Sequence, residues 1–178
     1  MNYIVFDLEA TCWNPLPKDA KQEVIEIGAV KINQFGEILD EFSSFVQPVI
    51  NRTLSVYCRQ LTHIEQNQVD KAQIFPQVIE RWIDWIDEDS YLLLSWGSFD
   101  IKVLTKNCNY HRVPTDWLTN YADIKAQYPK VINIPQPTNL QRALAIEGFK
   151  FDGEQHRALS DAKNLAKIFV KYLGEWQY

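Results

Sequence analysis

The chain has 178 residues, the length of one domain, and its 46% hydrophobic, 13% aromatic and 23% charged residues supply a sizeable core and exclude global disorder. Eighteen Lys and Arg against 23 Asp and Glu give a net charge of −5 and a pI near 5.2. That balance argues against a protein that grips nucleic acid by overall positive charge, but not against a nucleic-acid enzyme whose carboxylates hold divalent cations.

No apolar run approaches the roughly 18 residues of a membrane span. The start, Met1 to Asp7, has no basic segment and reaches an acid early, so no secretory leader is expected. Heptads, triplets and longer repeats are absent from the sequence. Cys12, Cys58 and Cys108 are widely spaced without a CxxC pair, so reduced thiols and a cytoplasmic location are expected.

In chain order, Tyr3, Ile4, Val5 and Phe6 read as a buried strand ending in acids. A polar, proline-bearing segment over 14–23 precedes a second strand over 24–32; Phe35, Gly36 and Glu37 form a turn, and 38–46 reads as a third strand, an antiparallel meander. Phe75, Val78, Ile79, Trp82, Ile83 and Ile86 recur at helical spacing. The continuous apolar run 91–97 has the pattern of a central strand covered on both faces. A short helix is expected over 100–107, a last strand over 117–124, and a loop over 129–138 with its three prolines. Asn139 is placed to cap a helix over 140–147 that Gly148 closes, and the apolar stripe from Ala162 to Leu173 marks a C-terminal helix. Strands first, then strands alternating with helices, give an α/β fold around a mixed sheet, without an internal boundary.

Four acids stand out. Asp7 and Glu9, two apart, project from one face of a strand. Asp100 follows the second apolar strand, and a parallel neighbour to 3–6 would bring it beside them, where α/β sheets collect ligands. Asp161 borders the buried stripe of the last helix, and His156 lies in the loop feeding it. Singly, each has an ordinary structural explanation: a solvated strand end, a helix N-terminal acid, a surface histidine. Converging, four carboxylates need cations, and an all-oxygen donor set suits Mg²⁺ or Mn²⁺ rather than zinc. Two such ions can activate water and stabilise the leaving oxygen of a phosphodiester, with a neutral histidine as the base.

The ordered set Phe6-Asp7-Leu8-Glu9-Ala10-Thr11-Cys12, Gly97-Ser98-Phe99-Asp100 and His156 through Asp161 resembles the DEDDh branch of the DnaQ-like 3′→5′ exonucleases, nearest the Eri-type and histone-mRNA 3′-exonucleases. Glu26-Ile27-Gly28-Ala29-Val30 and Val56-Tyr57-Cys58-Arg59-Gln60-Leu61-Thr62 support it. The resemblance implies an RNase H-like fold with a mixed five-stranded sheet, a single exonuclease domain over 1–178, and two divalent ions, Mg²⁺ or Mn²⁺, on Asp7, Glu9, Asp100 and Asp161. It implies His156 as general base, and Ala10, Thr11, Tyr57, Leu61, Thr62, Phe99 and Ile101 at the terminal nucleotide. The implied activity releases nucleoside 5′-monophosphates from 3′ ends of single-stranded RNA, with DNA as a further substrate and no obligatory protein partner or membrane. Two other readings stay open: a catalytically idle nucleic-acid-binding or adaptor domain of the same fold, and a proofreading subunit of a DNA polymerase. His63 stands where relatives usually carry Gly, and Ala158 and Ser160 replace the common Gly and Asp.

Overall fold

The computed structural model describes residues 1–86 and 90–178. Five strands form one sheet: β1 (Asn2–Ala10), β2 (Val24–Ile32), β3 (Ile38–Phe45), β4 (Tyr91–Ser95) and β5 (Tyr121–Asp123), in the spatial order β3-β2-β1-β4-β5. β1, β2 and β3 pair antiparallel, whereas β1–β4 and β4–β5 pair parallel, the mixed sheet expected. The helices are α1 (Val56–Thr62), α2 (Gln66–Asp70), α3 (Phe75–Ile86), α4 (Phe99–His111), α5 (Ile124–Val131), α6 (Leu140–Ile146) and α7 (Ala158–Lys171). Among the described residues, none is long and apolar enough to cross a membrane.

Strand alternation divides the core into two layers. Ile4, Phe6 and Leu8 of β1 pack with the apolar faces of α3 and α4, including Phe75, Trp82 and Leu104. Tyr3 and Val5 face the other way, onto Tyr128 of α5, Leu144 of α6 and Leu165, Ile168 and Phe169 of α7. Asp7 and Glu9 continue this second stripe and are therefore aimed at α7. A third cluster, Ile25, Leu54, Cys58, Ile64 and Val69, seats α1 and α2 beyond the sheet end.

Several expectations are revised. The strand over 117–124 shrinks to β5, because Pro114 and Thr115 start a single 3-10 turn (Asp116–Leu118) in which the Leu118 N–H donates to the Thr115 carbonyl. The loop over 129–138 yields its first residues to α5, which contains Pro129. Proline there removes one late hydrogen bond, while burial of Tyr128 and Pro129 and the Asp123 cap on the Ala126 N–H hold the turn. The helix over 100–107 extends to Phe99–His111, and α7 starts four residues ahead of its apolar stripe. α1 and α2 are too short to show a periodic stripe; Ser55 caps α1 by accepting from the Cys58 N–H. Asn139 does cap α6, accepting from the Arg142 N–H at 2.8 Å.

Candidate active site

β1 outruns its parallel partner. The β1–β4 ladder ends at Val5–Leu94, so the second half of β1 has no strand on that side. Asp100, in the first turn of α4, fills part of the gap: its Oδ1 accepts from the Leu8 N–H at 3.2 Å. This is a sheet switch point, where β1 meets an antiparallel neighbour on one side and a parallel one on the other, and a cleft opens there.

Across the ladder from β1, Asp7 pairs with Gly28 and Glu9 with Glu26, so these four residues share the face that meets α7. Gly28 is the contact point. A Cβ at this position would lie 2.0 Å from the Leu159 backbone nitrogen and 2.2 Å from the Ala158 carbonyl carbon. Only a glycine lets the first turn of α7 rest on the strand, and that turn carries Asp161. Glu26, 2% exposed, then clamps the helix start. Its carboxylate accepts from Arg157 Nη2 at 2.8 Å, from Arg157 Nε at 3.1 Å and from the Ala158 N–H at 3.1 Å. A fork of this kind orients both partners, and removing the arginine would leave a buried charge at a cost of about 3 kcal/mol.

The result is a tight carboxylate group. One oxygen each from Asp7, Glu9 and Asp161 lie within 4.8 Å of one another. The Arg157 N–H donates to Asp161 Oδ2 at 3.2 Å, fixing that side chain. Burial, reinforced by the neighbouring acids, pushes Glu9 up to about 9 and holds Asp7 well above the usual carboxylate range. Burial likewise raises Asp100 to about 7 and Asp161 to about 6, although backbone N–H groups pull each partly back. Hard oxygen donors that repel one another in a partly buried cleft fit a divalent cation.

A cleft of about 320 Å³ surrounds this group and is lined by Asp7, Glu9, Asp100, Asp161 and His156 together. His156 is exposed and takes a left-handed backbone, φ 58°, just before α7. Of the residues expected at the nucleotide, Ala10, Leu61 and Phe99 line the cleft, and Phe99 is half exposed. Thr11, Tyr57, Thr62 and Ile101 do not line it. Thr11 Oγ1 accepts from the Glu23 N–H at 2.9 Å, and Thr62 Oγ1 donates to the Cys58 carbonyl at 2.8 Å, so both hydroxyls brace the walls. Tyr57 is partly exposed on α1, and Ile101 packs on the α3–α4 core. Trp96 and Leu140 also line the cleft; no pattern in the sequence singles them out. His63 is the C-cap of α1 at φ 55°, a left-handed position that favours glycine, and its Nδ1 lies 3.7 Å from Glu154.

Strand order and converging carboxylates define a class: an RNase H-like domain with an acidic, cation-seeking cleft at its switch point. A family model described as Exonuclease (RNase_T) matches residues 4–169, and the chain belongs to that family. It is 36% identical over 181 residues to 3′-5′ exoribonuclease 1 of Homo sapiens, covering 96% of this chain and 52% of that protein. With 3′-5′ exonuclease eri1 of Schizosaccharomyces pombe it shares 32% identity over 202 residues, 97% of this chain and 68% of that one. The crystal structure of the nuclease domain of 3′hExo, a DEDDh family member bound to rAMP, superposes with a TM-score of 0.92 at 35% identity, covering 98% of this chain and 92% of that one. The chain thus spans about half the length of the human relative.

Proposed function

We propose that this protein is a metal-dependent 3′→5′ exonuclease acting on single-stranded RNA, and on DNA as a further substrate, releasing nucleoside 5′-monophosphates. The observation that carries the reading is the gathering of Asp7, Glu9 and Asp161, with Asp100 in the same cleft, in a chain of the exonuclease family. In this reading those four carboxylates hold two divalent ions, Mg²⁺ or Mn²⁺. Such ions supply activation of water and neutralisation of the charge that develops on the departing oxygen.

The chain's own residues do the rest. His156 takes the proton from the attacking water. Phe99, Leu61 and Ala10 bear on the terminal nucleoside, with Phe99 offering a face that any base can stack on, worth about 1–3 kcal/mol. Thr11 and Thr62 act through the backbone they hold, and Tyr57 and Ile101 support α1 and α4. Residues 1–178 form a single exonuclease domain in this reading. The free thiols of Cys12, Cys58 and Cys108 suit a reducing, cytoplasmic setting.

The test is a 5′-labelled RNA oligonucleotide with Mg²⁺ or Mn²⁺. A ladder shortening from the 3′ end and nucleoside 5′-monophosphate products are expected; binding without turnover in either metal would leave the idle-domain reading. The base role has its own signature. His156→Ala should run about 10²-fold or more slower with its affinity for RNA retained. A near-wild-type rate in His156→Ala would remove the histidine from the mechanism.

A further inference from the structure

A second cavity, of about 340 Å³, adjoins the acidic cleft: Gln22 lines both. It lies between the 20–23 segment and α4. Along one face of that helix Asp100, Val103, Asn107 and Tyr110 succeed one another at helical spacing. Ten residues at about 1.5 Å each carry this face roughly 15 Å from the acids.

The walls of this cavity are pinned. Buried Asn107 donates from Nδ2 to the Gln22 carbonyl at 3.0 Å, and its Oδ1 accepts from the Val24 N–H at 3.2 Å. On the other side Asn51 Nδ2 donates to the Lys21 carbonyl at 2.7 Å. Glu23 lines the cavity, but its carboxylate is occupied by the N–H groups of Val49, Ile50 and Asn51, at 2.7, 2.9 and 2.6 Å. The cations that line it, by contrast, are unengaged by acids: among the described residues neither Lys21 nor Lys106 has an ion-pair partner. On α7, Lys163 pairs with Glu41 and Lys171 with Glu147, both at 2.7 Å, while Lys167 donates to the Lys150 carbonyl and to Asn164 Oδ1. Lys21 Nζ sits 5.6 Å from the ring centroid of Tyr110, which is half exposed.

Two unpaired ammonium groups beside an exposed aromatic ring are the chemistry of a sequence-tolerant single-strand site: phosphates meet the cations and a base stacks on the ring. An acidic protein needs such a site, because its catalytic acids repel the polyanion that must enter between them. We infer that the cavity walled by Lys21, Lys106 and Tyr110 seats the upstream part of the RNA strand whose 3′ end lies in the acidic cleft. This rests on the exonuclease reading.

The test compares the wild-type chain with Lys21→Ala/Lys106→Ala, Tyr110→Ala and Tyr110→Phe. Two readouts are needed: anisotropy of a fluorescein-labelled RNA of about 12 nucleotides in metal-free buffer, and hydrolysis of that RNA against a dinucleotide. The double lysine variant should bind the long RNA about tenfold more weakly and lower the salt slope by roughly 1.4, about 0.7 for each lost phosphate contact. Tyr110→Ala should lose about tenfold and Tyr110→Phe should recover it. The KM for the long RNA should rise in step, far more than that for the dinucleotide. Unchanged affinity and salt slope in all variants, equal losses on both substrates, or no binding by the wild type would overturn the inference. Variants that lose binding while the wild type cleaves nothing would uphold the strand site and sink the exonuclease reading instead.

Discussion

Asp7→Asn is expected to lower RNA hydrolysis by about 10³-fold or more and, in the absence of metal, to make the protein more stable. The two effects have one cause. Asp7 faces Glu9 and Asp161 within 4.8 Å and is raised well above the usual carboxylate range by burial and by those neighbours. Removing its charge removes an essential donor for cations, which such a phosphodiesterase reading cannot spare, and relieves repulsion that the folded state otherwise bears. A gain of about 1 kcal/mol corresponds to roughly 3 °C in Tm for a chain of this size.

The same cluster fixes a pH dependence. A carboxyl held above its unfolded value binds its proton more tightly in the folded state, so it destabilises the fold once pH exceeds the unfolded value, near 4. For each group the loss grows until pH passes its folded value, about 6 for Asp161, about 7 for Asp100 and about 9 for Glu9, and then levels off. Metal-free protein should therefore lose stability from about pH 5 to pH 9, most steeply at the acidic end, and Mg²⁺ should raise Tm more at pH 8 than at pH 6. Thermal melts of wild type and Asp7→Asn with EDTA or Mg²⁺ read both effects. An Asp7→Asn protein that is less stable without metal, or that cleaves at the wild-type rate, would contradict the cluster's role.

Gly28→Ala is the second large effect, and it acts without touching a carboxylate. The added methyl meets backbone atoms of Leu159 and Ala158 at 2.0–2.4 Å, and backbone has no rotamer by which to yield. Either α7 lifts from the sheet or the fold fails, at about 3 kcal/mol or more. Because α7 carries Asp161 and follows directly on His156, hydrolysis should vanish even where the variant remains folded. Gly148→Ala is the contrast: its φ of 74° strains an alanine, but nothing lies within 4 Å. It should cost about 1 kcal/mol and leave the cleft's chemistry intact. Denaturant melts and oligonucleotide cleavage on both variants separate close packing from backbone conformation. Wild-type stability in Gly28→Ala would refute the close approach of helix and strand.

What the sequence made legible follows from the range of each signal. β1 and β4 announce themselves by short continuous apolar runs, β2 and β3 by apolar stretches on either side of a turn, and α3 and α7 by helical spacing, all of them local signals. The carboxylates were legible for a different reason: motif residues at the ends of recognised elements, plus the parallel placement of β4 beside β1, are enough to bring them together. The short helices α1 and α2 run for fewer than two turns each, too few for a repeating stripe, and their stability comes from a cap at Ser55 and from the cluster around Ile25 and Cys58. Pro129 disguises α5, because a rule about isolated helices is overridden when the proline and the Tyr128 before it are buried. Gly28 and Glu26 lie in a stretch that carries the family resemblance, yet their work is a contact with α7, about 130 residues away. No pattern in the chain displays such a contact. Trp96 and Leu140 carry no local signal for the same reason: cleft walls are assembled from distant segments.

The central claim is that Asp7, Glu9, Asp100 and Asp161 form one cation-binding basket. Crystals grown or soaked with Mn²⁺ and measured for anomalous scattering test it most directly. Anomalous density within coordination distance of Asp7, Glu9 and Asp161 oxygens, lost in Asp7→Asn, is the result the account predicts. Saturating Mn²⁺ with no density between those side chains, or with manganese only at other acids, would contradict it.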